Sequence, residues 1–327
     1  MKNELKYLLP ICGCLWLAAA CNSGPVPESE SPDPLPITLS MTRGGEGETK
    51  EARLLFFTEE ELGKVGASNG NAVPLLDVVP DGKINDYTTV KYNTQHLYPQ
   101  DNARVYAIGI SPTTLTMTDN YQSYTFPSEK KGKVDVLGTE TLSGSWSSPF
   151  NGVLEFRHLT TRISFKAQRS ASMQGKLFVK LLQMTICGNQ VCTGMKWNAE
   201  SKKYEAATAE NGNDLTLEYG EQLRTDNAVE IGTAYLVLTS PEDFKGLKII
   251  ADLAKNIEFT EGSQQKHEFR IDSCEFTDTE GNPVTSINPG ESYEVLVLFD
   301  QDKFELHGKE EDWNPGGQIS IPIVNPK

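Results

Sequence analysis

The sequence reads as strand after strand, and no segment sustains a helical period. Arg162-Ile163-Ser164-Phe165-Lys166-Ala167 alternates polar and apolar residues, the period of a strand with one face in a core. Lys248-Ile249-Ile250-Ala251-Asp252-Leu253 does so less strictly. Ala234–Leu238 and Tyr293–Phe299 are longer apolar runs, suited to strands buried on both faces or lying between two sheets. Turn signals separate such runs: Asn69-Gly70, Asp81-Gly82, Asn151-Gly152, Asn211-Gly212 and Gly281-Asn282-Pro283. The one helical start, Thr58-Glu59-Glu60-Glu61, has capping-box spacing and runs out by Gly66. This pattern predicts an all-β chain built of β-sandwiches. At 327 residues it is too long for one ordinary core, so two sandwiches in tandem are expected. The stretch Ser143–Gly152 is rich in Ser, Gly and Pro, and the strand pattern restarts at Val153. The expected division is therefore an N-terminal sandwich over residues 37–152 and a C-terminal one over 153–327.

The first residues break the pattern. Residues 1–20 read as a signal peptide, with Lys2 and Lys6 ahead of an apolar stretch from Leu8 to Ala20. Leu17-Ala18-Ala19-Ala20-Cys21 resembles a bacterial lipobox, with Leu17 one place early, and Cys21 would be the acylated residue. The plainer alternative is an ordinary signal peptide cut near Ala20. Residues 21–36, rich in Ser, Pro and Glu, form a flexible acidic tether between an anchor and a folded body. Removing the leader, net +1, takes the formal charge from −15 to −16 over the remaining 307 residues. That acidic excess argues against nucleic acid, which demands clustered Lys and Arg, and against a basic membrane-surface binder. Beyond Cys21 three thiols remain, and Cys187-Gly-Asn-Gln-Val-Cys192 brackets a turn-prone Gly188-Asn189. That spacing allows a hairpin-closing disulfide between Cys187 and Cys192, whereas a metal site would need more ligands than this pair.

Enzymatic chemistry needs convergent groups, and spacing assembles none. There is no Gly-x-Ser-x-Gly elbow and no Gly-rich phosphate loop ending in Lys-Ser or Lys-Thr. His267-Glu268 begins like a zinc-protease motif, but Ile271 stands where the second His belongs. His96, His158 and His307 are scattered, and His158 beside Phe156 reads as a hydrogen-bonded structural residue. The acidic runs Glu59-Glu60-Glu61 and Glu310-Glu311-Asp312 read as solvated faces and loops. The expectation is a protein that is not an enzyme and takes no cofactor or metal.

Several patches together carry a likeness. They are the lipobox, the acidic tether, Leu97-Tyr98-Pro99 ahead of Val105-Tyr106-Ala107-Ile108, the phrase Leu154-Glu155-Phe156-Arg157-His158-Leu159-Thr160-Thr161-Arg162-Ile163-Ser164-Phe165, and the ending Glu311-Asp312-Trp313-Asn314-Pro315-Gly316-Gly317 with an alternating strand after it. The chain resembles the fimbrillin-like proteins of the Bacteroidales, subunits of type V pili. The resemblance implies two transthyretin-like β-sandwich domains and export as an outer-membrane lipoprotein. It also implies a trypsin-like maturation protease that removes an N-terminal strand after an Arg. The vacated groove then accepts a strand from a neighbouring fimbrial subunit, and the finished fimbrium supports adhesion and biofilm formation through a host or bacterial surface receptor. Here Ile37–Thr42 would be the removed strand, Arg43 the cut site and Gly44 the new N-terminus. The flexible Arg43-Gly44-Gly45-Glu46-Gly47 suits a protease, while Arg53 is shielded by the Leu54-Leu55-Phe56-Phe57 that follows it. The expected donor strand is Gln318–Val324, with Ile319, Ile321 and Ile323 facing one side; the competing reading is an ordinary last strand of the second sandwich. A different class of function also fits: a monomeric surface lipoprotein that binds glycans through exposed Trp146, Trp197, Trp313, Tyr121 and Tyr124.

Overall fold

The computed structural model describes residues 33–43, 50–68, 70–81, 83–84, 90–173, 178–188, 190–209, 214–223, 227–255, 258–259, 264–271, 275–278, 282–299, 304–310 and 318–321. In chain order its elements begin with β1 (Pro36–Arg43), β2 (Lys50–Glu51), β3 (Arg53–Thr58), α1 (Glu59–Leu62), β4 (Leu76–Val78), β5 (Lys83–Ile84), β6 (Val90–Leu97), β7 (Val105–Ser111), β8 (Thr116–Thr118) and β9 (Ser123–Thr125). They continue with β10 (Leu137–Gly138), β11 (Leu142–Gly144), β12 (Val153–His158), β13 (Thr161–Arg169), β14 (Phe178–Ile186), β15 (Cys192–Asn198), β16 (Lys203–Thr208) and β17 (Leu215–Leu223). The last are β18 (Val229–Leu236), β19 (Leu247–Ala254), β20 (Gln264–Ile271), β21 (Glu275–Thr277), β22 (Ser292–Phe299), β23 (Phe304–Glu310) and β24 (Gln318–Ile321). The chain is all-β, as its periodicity predicts. Helix α1 is a single turn, and Thr58 caps it by accepting a hydrogen bond from the Glu61 amide at 3.3 Å.

One sheet of eight strands organises the N-terminal elements, in the order β4-β3-β7-β10-β12-β1-β6 with β11 also on β7. Its strands β3 and β7 are buried on both faces. On one side Leu54, Phe56, Val105, Ala107, Leu154 and Phe156 form a cluster with residues of β1. On the other, Leu55, Phe57, Tyr106, Ile108 and Ile110 meet the four-stranded sheet β16-β15-β9-β8 through Tyr124, Met195 and Tyr204. This is why Leu54-Leu55-Phe56-Phe57 is apolar without alternation: successive side chains serve opposite cores. The second sandwich faces the six-stranded sheet β18-β13-β22-β23-β24-β21 against β17-β14-β19-β20, and Phe165, Val179, Met184, Ile249 and Val297 share its core.

The structure departs from the expected organisation in three places. The division at 152/153 falls inside the eight-stranded sheet, because β12 pairs in parallel with β1 and antiparallel with β10. Its burial alternates, Leu154 and Phe156 inward and Val153 and Glu155 outward, so it belongs to the N-terminal core, and the chain crosses to β13 only after His158. The Ser- and Pro-rich stretch before it is a loop of that core: the Phe150 amide donates to the Tyr98 hydroxyl at 2.9 Å, and both rings pack there. The hairpin β15–β16 likewise returns from the C-terminal half to pair with β9. The run Tyr293–Phe299 is not buried on both faces. Tyr293, Val295, Val297 and Phe299 are inside, and Glu294, Leu296 and Leu298 are half-buried on the other side.

Candidate assembly groove

Strand β1 occupies an interior slot. It runs antiparallel to β6, with Leu39 opposite Tyr92, and parallel to β12, with Met41 opposite Leu154. The alternation of Ile37-Thr38-Leu39-Ser40-Met41 is realised: Ile37, Leu39 and Met41 are each 1 % exposed, while Thr38 is exposed. Those three side chains lie in the cluster built from Leu54, Phe56, Leu154 and Phe156. The slot closes at its start through the Tyr98 amide, which donates to the Leu35 carbonyl at 3.0 Å, and through the Thr94 hydroxyl, which donates to the Ile37 carbonyl at 3.1 Å. A shape constraint comes from Gly109 on β7, where a Cβ would stand 2.3 Å from the Phe156 ring. Gly109 therefore leaves room for the Phe156 ring.

Arg43 is the last residue of β1, its backbone opposite Phe156. Gly44 lies outside the described residues, as do the leader, Cys21 and most of the tether. Arg53, the less suitable cleavage position, opens β3 opposite Ile110, and its guanidinium stands 3.4 Å from Asp77. At the other end of the chain, β24 pairs with β23 through Leu306–Ile321 and His307–Ser320, and with β21 through Phe276–Ile319. Ile319 and Ile321 thus sit on a strand of the chain's own six-stranded sheet, and Ile323 lies outside the described residues.

His158 is a structural residue in this arrangement. Its Nδ1 lies 2.7 Å from Asp135 Oδ2, both side chains are at most 2 % exposed, and the Thr160 hydroxyl donates to Asp135 Oδ1 at 3.0 Å. The group pins the crossing from β12 to β13, where the Leu159 amide donates to Val136 and the Gly290 amide to Thr160. A cleft of about 450 Å³ opens beside it, bounded by Gly138, Arg157, Lys203 and Tyr204. Its rim charges already neutralise one another, Lys203 with Glu140 at 2.9 Å and Arg157 with Glu155 at 2.6 Å.

The expected Cys187–Cys192 bridge is absent. Cys192 opens β15 and is buried with Met195 and Trp197, its thiol donating to the Gly194 carbonyl, while Cys187 follows β14 in a different sheet. Burial pushes the Cys192 thiol up to about 12. Cys274 lies outside the described residues. Of the aromatic residues that would stack on sugars, two are buried and two half-buried. Tyr124 and Trp197 are buried, Tyr121 meets Phe57 edge-on, and Trp146 packs against the β1 cluster; Trp313 lies outside the described residues. Tyr204, unremarked in the sequence, stacks edge-on against both Tyr124 and Trp197 and donates to the Tyr121 carbonyl at 2.6 Å. Among the described residues no group of three His, Cys, Asp or Glu gathers to hold a metal, and no helix is long and apolar enough to cross a membrane.

No protein-family model matches the chain, and no curated protein matches it. Solved structures do. A fimbrial protein from Bacteroides vulgatus ATCC 8482 is 12% identical, with 85% of this chain and 99% of that one covered and a TM-score of 0.49. A fimbrial assembly protein from Parabacteroides distasonis ATCC 8503 is also 12% identical, with 88% and 100% covered and a TM-score of 0.42.

Proposed function

We propose that this chain is a structural or tip subunit of a cell-surface fimbrium, exported as a lipoprotein through Cys21 and matured by a trypsin-like protease that cuts after Arg43. Removal of β1 then opens a groove between β6 and β12, and a strand from a neighbouring subunit fills it. The assembled fimbrium supports adhesion and biofilm formation. The observation that carries the reading is β1 itself: an interior strand with three buried, alternating side chains that ends on an arginine. A strand so placed cannot leave intact, because burial of Ile37, Leu39 and Met41 opposes release. Once cut, its replacement needs only the same alternation and the same two ladders. The family resemblance of the Leu154–Phe165 phrase supports the same reading. The glycan-binding monomer has less support, since Tyr124 and Trp197 are core residues. Size-exclusion chromatography before and after mild trypsin treatment decides between them. Polymers that appear only after a clip behind Arg43 are expected, and a clipped chain that stays monomeric would refute assembly by this route.

A further inference from the structure

The loops at the start of β7 enclose a second, polar cavity. Its volume is about 300 Å³, and Asn102, Arg104, Ser143, Ser145, Ser147 and Ser148 line it. The cavity is built rather than incidental. The Ser145 and Ser148 backbones bond reciprocally at 2.8 and 3.2 Å, closing the serine loop on itself. The Ser147 amide donates to Asn102 Oδ1 at 2.9 Å and ties that loop to the one before β7. Asn102 takes φ of 62°, a conformation Asn tolerates better than most residues, and this aims its side chain across the gap. Underneath, Trp146 and Phe150 pack into the β1 cluster, and a Cβ on Gly144 would come within 2.8 Å of the Phe150 amide nitrogen. The loop therefore rests on core and keeps its shape.

The groups offered are specific. Among the described residues, the Arg104 guanidinium and the Ser143 and Ser148 hydroxyls make no hydrogen bond, and all three residues are exposed. We infer that this cavity is a binding site for a carboxylate-bearing sugar, such as the terminal unit of a surface glycan. A planar guanidinium engages a carboxylate through two parallel hydrogen bonds. Hydroxyls that both donate and accept suit the hydroxyls of a sugar ring. The volume lies at the lower end for ligand pockets, so one sugar unit is held rather than a long chain. No apolar wall is present for a lipid tail or an aromatic ring. With a formal charge of −15 the protein as a whole does not attract an anion, so recognition is local to Arg104. The side chains offered to the ligand are not those that line the β1 slot, although Trp146 and Phe150 beneath the loop pack against the same core.

The test is saturation-transfer NMR and calorimetric titration of the full-length chain in detergent. The probes are N-acetylneuraminate and glucuronate, with galactose and sodium sulfate as controls. Saturable binding of at least one acidic sugar is expected, stronger than galactose and weakened by salt. Arg104→Ala should weaken it about tenfold or more, and Arg104→Lys, which keeps the charge without the fork, should fall between. Arg104 is exposed, so circular dichroism of both variants should match wild type. No binding by either acidic sugar, equal binding by Arg104→Ala, or equal competition by sulfate would overturn the assignment.

Discussion

Leu39→Ala separates the role of β1 as a plug from a role as an ordinary strand. Leu39 is 1 % exposed, pairs with Tyr92 across the β6 ladder, and belongs to the cluster of Leu54, Phe56, Leu154 and Phe156. Truncation removes buried carbon and leaves a void, and β6 and β12 hold the backbone on both sides, so the site relaxes little. A cost of about 3 kcal/mol is expected, within the usual range for a buried Leu. After cleavage behind Arg43 the strand is held without a covalent bond, by burial of Ile37, Leu39 and Met41 worth roughly 5–9 kcal/mol together, and by its ladders. A loss of about 3 kcal/mol corresponds to roughly a hundredfold in an equilibrium constant, and most of it should appear as faster strand release. The assay combines urea unfolding of the uncut chain with a time course of polymer formation and free β1 peptide after trypsin. Leu39→Ala should unfold at lower urea, release the peptide faster and polymerise faster. If it is destabilised as stated but polymerises no faster, β1 does not gate assembly. If its stability is unchanged, Leu39 is not in the core.

Three other outcomes are expected. Arg43→Ala should remain folded and monomeric under the same trypsin treatment, whereas N-terminal sequencing of assembled wild type should begin at Gly44. His158→Ala removes one hydrogen-bond partner of the buried Asp135, which keeps the Thr160 hydroxyl, and should cost about 1–3 kcal/mol in urea unfolding, while a loss under about 0.5 kcal/mol would mean the contact adds no stability. Deleting residues 318–327 should leave folded monomers that no longer donate a strand yet still accept a wild-type subunit; unfolded protein would show that the segment completes its own core instead.

What was legible in the sequence is local, and what was not is pairing at a distance. Ile37–Met41 announces its burial by alternation, and Thr58 announces its cap through the glutamate three residues on. Val153–His158 alternates just as clearly, but nothing in it says that its partner is β1, more than a hundred residues earlier and parallel. A Ser- and Pro-rich stretch looks like a linker whether it joins domains or folds back on Tyr98, and only the contact tells them apart. Cys187 and Cys192 are close in sequence but divided between two sheets, because the chain changes sandwich between them. Gly194 shows the same limit: it follows no turn signal, yet a Cβ there would lie 2.0 Å from the Tyr124 carbonyl, a collision created by the returning hairpin. His158 was readable as structural, but its partner Asp135 was not.

On the assembly reading the strand removed and the strand donated have opposite requirements. Strand β1 has five register pairs with β6 and four with β12, and three side chains in the core. The described part of β24, Gln318–Ile321, has two with β23 and three with β21. Pro322, next in the sequence, has no amide to donate to a ladder. A polymer made by strand exchange requires the acceptor's own strand to be held more firmly than the donor strand. The donor must leave its own sheet on thermal fluctuation, since no cut frees it at that end. The acceptor groove must stay filled until a protease intervenes, since an early opening would expose Leu54, Phe56, Leu154 and Phe156 before export is complete. On that reading the arginine that ends β1 would place irreversible control at the acceptor, while exchange at the donor would stay reversible.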